Sequence, residues 1–250
     1  MEEEIKKAAG LIYNSTNLVA FTGAGISAES GLPTFRGEGG LWNKYDSEVL
    51  GLDYFYNHPN ESWNVIKKIF YEFTLSAKPN AAHIALAEIE KIKKKLIVIT
   101  QNIDHFHNMA GNKDVIEFHG TTANLVCEKC QKKYPANEKK LKRIPPLCST
   151  CKTVLKPDFV FFGEGIPPEA FSRSFQSAAA CDVMIVVGTS GEVMPANMIP
   201  QDARRNGAKI IEINPEKNAF AFGPRDVYIK GKAGETLPAI VTELKKYYDS

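Results

Sequence analysis

Four cysteines in two Cys-x2-Cys pairs, Cys127/Cys130 and Cys148/Cys151, with seventeen residues between the pairs, have the spacing of a zinc site. Each short knuckle supplies two thiolates with little strain, and four thiolates close a tetrahedron. No coordination position remains for water, so the ion expected here is structural and not catalytic. Two unrelated pairs or a redox site are the alternative. In a reducing compartment the pattern favours metal over disulfides. The fifth cysteine, Cys181, precedes an apolar run and reads as a small buried residue.

A second kind of chemistry is suggested by Gly23-Ala24-Gly25-Ile26-Ser27-Ala28, which follows the apolar run Leu18–Phe21. A strand, then Gly-x-Gly-x-x-Ala, then a helix start is the context in which a dinucleotide pyrophosphate meets backbone N–H groups. A glycine turn with no ligand is the plain alternative. The next stretch, Ser30-Gly31-Leu32-Pro33-Thr34-Phe35-Arg36-Gly37, breaks the helix that such a fingerprint opens. The acidic residue expected about twenty positions on, at the end of a second strand, is missing. Glu38 and Glu48 fall in an aromatic-rich stretch instead, which disfavours an ordinary dehydrogenase.

Polar residues recur at the ends of other apolar runs, the edge where open α/β sheets bind ligands. Thr100-Gln101-Asn102-Ile103-Asp104 closes one run, although Asn and Asp are also common turn formers. Gly188-Thr189-Ser190 and Asn214-Pro215-Glu216 close two more. His119 lies between Val115–Phe118 and Gly120, where an imidazole of near-neutral pKa suits general-base work. His83, His105 and His107 can be argued similarly, so position alone does not select His119; His58 has no special claim.

These groups need a scaffold. A chain of 250 residues, 44% apolar and 24% charged, is long enough to bury a sizeable core, and its net charge of +2 gives little pull toward nucleic acid or membrane. The longest apolar runs are too short to span a bilayer, and Met1-Glu2-Glu3-Glu4 is unlike a signal peptide, so the expected location is cytoplasmic. Strands are expected at Leu18–Phe21, Leu96–Thr100, Val115–Phe118, Phe159–Phe162, Val183–Gly188, Lys209–Ile213 and Val227–Ile229. Helical patterns occupy roughly 5–14, 81–95, 168–180, 197–206 and 237–248. The alternation predicts an α/β fold with a Rossmann-like parallel sheet and helices on both faces. Residues 37–78, rich in aromatics, and 124–156, with the cysteines, do not fit that rhythm. They read as a helical insertion and a zinc-binding module that build a smaller lobe. Residues 1–36, 79–123 and 157–250 then form a discontinuous NAD-binding domain.

Taken together, these segments resemble the sirtuin family, the NAD-dependent protein lysine deacylases. The matching pieces are "GAGISAESGLPTFRG", "TQNIDHFHNMAG", "EFHG", the four cysteines, "PDFVFFGE", "GTSGEVMPA", "EINPE" and "GKAGE", in the family's order over nearly the whole chain. The resemblance implies NAD as co-substrate, structural zinc and an acylated-lysine protein or peptide as partner, with DNA-bound or chromatin proteins among the conceivable substrates. It implies that Gly23, Ala24, Gly25 and Ile26 cradle the pyrophosphate, while Phe35 and Arg36 belong to a mobile loop over the nicotinamide. Gln101, Asn102, Ile103 and Asp104 face the nicotinamide ribose and carboxamide, with Asn102 and Asp104 also counted as catalytic. His119 matches the general base. Gly188, Thr189, Ser190, Asn214 and Ala233 line the adenosine side. Val160, Phe162, Gly163 and Glu164 lie on one edge of the peptide site, and Glu192 and Val193 on the other. The implied reaction is attack of the acyl oxygen on C1′, loss of nicotinamide, and release of lysine and O-acyl-ADP-ribose.

Two positions depart from the family pattern or tune it. Gly191 stands where leucine usually follows Gly-Thr-Ser, which puts peptide affinity in question. Aligned on Trp63, the chain offers Ile66 and Ile69 where acidic-acyl sirtuins carry Tyr and Arg, so an apolar acyl pocket is expected. Rival readings are mono-ADP-ribosyl transfer by the same site and a nucleic-acid-binding zinc ribbon. The latter rests on a local charge of +5 between Cys127 and Cys148, against −3 for the rest of the chain. The same lysines also offset the charge of a four-thiolate zinc site. Oligomeric state is not legible in the sequence.

Overall fold

The computed structural model describes every residue except 35–39, 42–44, 217–219, 221–222, 224–225 and 250. Among the described residues nine strands are formed: β1 (Leu18–Thr22), β2 (Ile97–Thr100), β3 (Asp114–Glu117), β4 (Gly120–Val126), β5 (Lys133–Pro135), β6 (Lys156–Phe159), β7 (Val183–Val187), β8 (Lys209–Asn214) and β9 (Val227–Lys230). Six make one parallel sheet in the order β3-β2-β1-β7-β8-β9. The central pair, β1 and β7, is buried at every position, as strands covered on both faces must be.

The two-residue period of a strand sorts their side chains between two layers. Ala20, Ile185 and Val187 pack with Ile12, Leu86, Ile89, Leu237 and Leu244, from the helices Glu2–Asn14, Ala81–Lys93 and Ala233–Asp249. Val19, Phe21, Met184 and Val186 pack with Ala178, Ile199 and Ala203, from the helices Pro168–Ala180 and Met198–Arg205. Chain order runs outward from β1 to β3 on one side and from β7 to β9 on the other. The strand order therefore reverses between β1 and β7, where a crevice opens at the carboxyl ends.

Glycine lets the backbone close at that point. The Gly23 N–H donates to Val187 O at 3.0 Å, and the Gly25 N–H to Gly188 O at 2.8 Å. Gly188 has φ +61°, and a Cβ there would lie 2.4 Å from Ile26 N, so only glycine fits. The loop continues as a 3-10 helix, Ala24–Ser30, that stops at Gly31 with φ +83°. The helix expected after the fingerprint is thus a short turn, because a left-handed glycine and Pro33 follow at once.

The second sheet is antiparallel, ordered β5-β4-β6. Here the sequence expectation shifts: the strand read at Phe159–Phe162 is Lys156–Phe159, and β4 and β5 were not foreseen. Pairing with β4 (Val126↔Lys156, Gly120↔Phe159) sets the position of β6, not its local apolar run. Residues of the helical insertion and the cysteine module share one core, in which Trp63, Ile66, Phe70 and Tyr71 pack with Leu125, Leu141, Leu155 and Phe161. Trp63 is fully buried and its Nε1–H donates to Leu155 O at 2.9 Å. Trp63→Ala empties the centre of this core and breaks that bond. It is expected to lower unfolding free energy by about 3–5 kcal/mol, read from chemical denaturation.

Candidate active site and metal centre

The four cysteines converge as the spacing requires. Their sulfurs all lie within 4.8 Å of one another, and Cys130 and Cys148 Sγ are 3.8 Å apart. A tetrahedron with Zn–S of ≈ 2.3 Å has S···S edges of about 3.8 Å, so the donor set fits zinc. The Cys151 N–H and the Tyr134 hydroxyl point at Cys148 Sγ (3.3 and 3.1 Å) and pull its thiol down to about 5, which favours the thiolate a metal needs. Cys181 is buried elsewhere, as expected. Purified protein is expected to hold one zinc per chain, and Cys148→Ser to lose it together with the cooperative unfolding of the small sheet; elemental analysis and circular dichroism check this.

The crevice above the large sheet is a cavity of about 1410 Å³. Strand ends bring to its wall Gly23, Ala24 and Gly25 after β1, Gln101, Asn102 and Ile103 after β2, and Gly188, Thr189 and Ser190 after β7. Asn214 at the end of β8 and Ala233 at the start of the last helix complete this side. The Gln101 amide donates to Thr189 Oγ1 at 2.9 Å, and the Asn214 amide to Thr189 O at 2.9 Å, which ties these ends together. Val160, Phe162, Gly163 and Glu164, which follow β6, line the cavity, and so do Glu192 and Val193, which follow β7. The two expected peptide edges thus come from different sheets. Glu164 is also a brace: Lys156, 4% exposed, holds its carboxylate at 2.8 Å, and the Phe161 N–H donates to it at 2.9 Å.

Four expected positions stand differently. Ile26 does not line the cavity; its side chain is fully buried in the core, and only its backbone meets Gly188. Asp104 lines a smaller recess of about 40 Å³ that shares Ala24, Asn102 and Ile103 with the main cavity. Phe35 and Arg36 lie outside the described residues.

Beneath the recess, polar groups lock one another. Ser27 Oγ donates to Asp104 Oδ2 at 2.6 Å and accepts from the Asn102 amide at 3.1 Å. The Phe106 N–H donates to Asp104 Oδ1 at 3.0 Å. Burial pushes the Asp104 carboxyl up, while these bonds oppose it.

The four-way ambiguity among histidines is settled by burial and direction. His83 is buried at Ser27 and Asn80 and pushed down to about 4; His107 is buried against Thr22 and pushed down to about 3. Both are neutral structural groups. His105, left-handed at φ +65°, pairs with Glu117 at 2.8 Å and does not line the cavity. His119 lines it. Its Nδ1 lies 2.9 Å from Gln101 O, and a carbonyl only accepts, so Nδ1 carries the proton and Nε2 is left as the acceptor. Desolvation holds its pKa below the ordinary 6.5, so the ring is neutral and basic at pH 7.

Sequence reasoning missed an aromatic wall. Phe70, Phe159 and Phe161 all line the cavity, with ring centroids 5.2 Å apart for Phe70–Phe159 and for Phe159–Phe161. The acyl-pocket expectation on Ile66 and Ile69 needs correction: Ile66 is core and Ile69 lines only the small recess. The helix from Pro59 carries a π turn at Lys67–Tyr71, whose wider coil rotates Phe70 toward the cavity. Phe70, and not Ile66 or Ile69, is the residue of this helix that lines the main cavity. No sequence signal marks a π turn, whereas the i, i+2 spacing of Phe159 and Phe161 was available.

Comparison with known proteins agrees with this site. The model of the Sir2 family matches residues 23–195. The "NAD-dependent protein deacetylase 1" of Pyrobaculum aerophilum is 42% identical over 245 residues, covering 97% of this chain and 96% of that protein. A solved complex of a Sir2 homologue with NAD is similar with TM-score 0.87 and 38% identity, covering 96% of this chain and 93% of that one. A Sir2 enzyme solved with deacetylated p53 peptide and 3′-O-acetyl-ADP-ribose gives TM-score 0.86 and 36% identity over 94% of this chain and 96% of that one. A family model matched over residues 23–195 and a relative 42% identical over nearly the whole length show that the chain belongs to the Sir2 family.

Proposed function

We propose that the chain is an NAD-dependent protein lysine deacylase, which turns acyl-lysine, NAD and one water into lysine, nicotinamide and O-acyl-ADP-ribose. The observation that carries this reading is the acceptor Nε2 of His119 on the wall of a cavity bordered by a glycine turn and two peptide-facing edges. A cavity of about 1410 Å³ is larger than the ~300–1,000 Å³ of a single-ligand pocket, which suits two substrates at once. NAD, when bound, supplies an electrophilic C1′ and a nicotinamide leaving group.

The protein's own groups supply the rest. Gly23, Ala24 and Gly25 bring their backbone close to the pyrophosphate, with the Gly23 and Gly25 N–H groups tied to Val187 O and Gly188 O, and Gly188, Thr189, Ser190, Asn214 and Ala233 border the adenosine. Gln101, Ile103 and the locked Asn102–Ser27–Asp104 network face the nicotinamide ribose with dipoles that need no reorganisation. His119 Nε2 accepts the proton of a ribose hydroxyl, while its Nδ1–H stays on Gln101 O. Phe70, Phe159 and Phe161 keep water from the reacting carbon and give the acyl chain an apolar wall. Val160, Phe162, Gly163 and Glu164 face the peptide opposite Glu192 and Val193, mainly through backbone, with little demand on its sequence. Acylated lysines of cytoplasmic proteins, DNA-bound ones included, are therefore the proposed substrates. Among the described residues, no helix is long and apolar enough to cross a membrane. The division into a discontinuous NAD-binding domain (1–36, 79–123 and 157–250) and a small lobe (37–78 and 124–156) belongs to the same reading, and the separate core under the small sheet supports it.

Incubation with NAD and an acetyl-lysine peptide, followed by mass spectrometry of every product, tests the reaction. Nicotinamide and O-acetyl-ADP-ribose are expected in equal amounts; lysine freed without NAD, or ADP-ribosylated protein as the sole product, sinks the deacylase reading. His119→Ala is expected to cut turnover by roughly 10²–10⁴-fold while calorimetry still detects NAD binding. The pH profile follows from the sign of the His119 shift. The neutral ring is the active form, so kcat/KM is full above its pKa and falls as pH drops through it. An acid limb with a midpoint below 6.5 is expected, set by the burial of the ring.

A further inference from the structure

Gly191 departs from the leucine of the sirtuin pattern, and the fold shows what fills the space. Its φ is +74°, and a Cβ built on it would lie 2.8 Å from Cζ and 3.0 Å from Cε2 of Phe220. A missing side chain at one position is thus matched by a ring from another. Phe220 is 6% exposed and belongs to the apolar cluster of Val186, Ala196, Ile199 and Ile210, so the ring is held from behind.

The two residues stand in separate segments that border the same cavity. Phe220 lies between β8 and β9, in the segment whose first residues Asn214, Pro215 and Glu216 line it. Gly191 follows β7, between Ser190 and Glu192, which also line it, while Gly191 and Phe220 themselves do not. The Asn197 amide donates to Gly191 O at 3.0 Å and the Gly191 N–H to Thr189 Oγ1 at 3.3 Å, so the backbone here is held by its own segment as well.

We propose that Phe220 is a positioning residue for the acyl-peptide: its ring, seated on Gly191, fixes the 189–193 segment so that Glu192 and Val193 face the bound peptide. Glycine has no side chain to pack and the most permissive backbone of any residue, so beyond its two hydrogen bonds the packing that orders this segment comes from the ring. The wall against the peptide then depends on a residue from the cofactor side. This inference rests on the deacylase reading above.

Four variants test it through steady-state kinetics with an acetyl-lysine peptide. Phe220→Leu keeps an apolar side chain in the cluster but withdraws the ring edge from Gly191. Peptide KM is expected to rise about ten-fold, the cost of ordering a freed loop, with kcat within about two-fold because His119 and Gln101 stand on other elements. Phe220→Tyr adds a hydroxyl at Cζ, where Gly191 sits, and is expected to raise peptide KM by overpacking. Gly191→Ala puts a methyl against Cζ and is expected to do the same. In Gly191→Ala/Phe220→Leu the methyl finds room, so peptide KM falls below that of Gly191→Ala. A merely structural role would lower kcat and melting temperature together and give additive effects. Unchanged peptide KM in Phe220→Leu, or an additive cycle, overturns the proposal. Failure of the wild-type protein to release nicotinamide with acyl-peptide overturns instead the reading on which it rests.

Discussion

The contact on which the rest depends is backbone against backbone: the Gly23–Gly25 turn after β1 pressed on Gly188 after β7. These two strands are the point where the sheet reverses its order, so their ends diverge above it. With side chains at Gly25 or Gly188, the turns would stand apart and the floor of the cavity would open. With glycine, the two turns close on each other and their backbone forms the floor directly. The β2 end then joins through Gln101 and Thr189, and the β8 end through Asn214 and Thr189. The cavity is therefore a consequence of sheet topology, drawn tight by a few polar bonds.

The electrostatics of the site follow from how this floor is covered. The small sheet and the helical insertion place an aromatic wall over one side, and the lowered dielectric keeps His119 neutral at pH 7. The carbonyl of Gln101 then fixes which nitrogen is the base. One strand end thereby serves twice, because the same residue turns its side chain to Thr189 and its backbone to the imidazole. The zinc centre stands outside the cavity and acts through the fold. An ion held by the four thiolates would tie the chain just after β4 to the chain before β6, the two strands that pair in this sheet.

Side chains that look catalytic on paper divide by burial. His83 and His107 are neutral wedges between the loops after β1 and β2, and Asp104 is oriented by Ser27 and Asn102 before any substrate arrives. Such a network is useful in catalysis because its polar partners are already placed. Lys156 has a comparable part at the cavity wall after β6, where its buried ammonium fixes Glu164.

The sequence by itself determined the parallel sheet, the four-thiolate centre, the glycine turn and the order of the polar strand ends. Each of these is written in short-range pattern: strand-helix alternation, cysteine spacing, or glycine after an apolar run. What only the tertiary structure decided involves residues far apart in the chain. The choice of His119 over His83, His105 and His107 depends on which ring reaches the cavity. The place of β6 is set by pairing with β4, and Phe70 reaches the cavity from a π turn that no local pattern announces. The seat of Phe220 on Gly191 joins two segments that no local pattern connects. Patterns along the chain record how each segment folds; contacts between segments exist only once packing has brought them together.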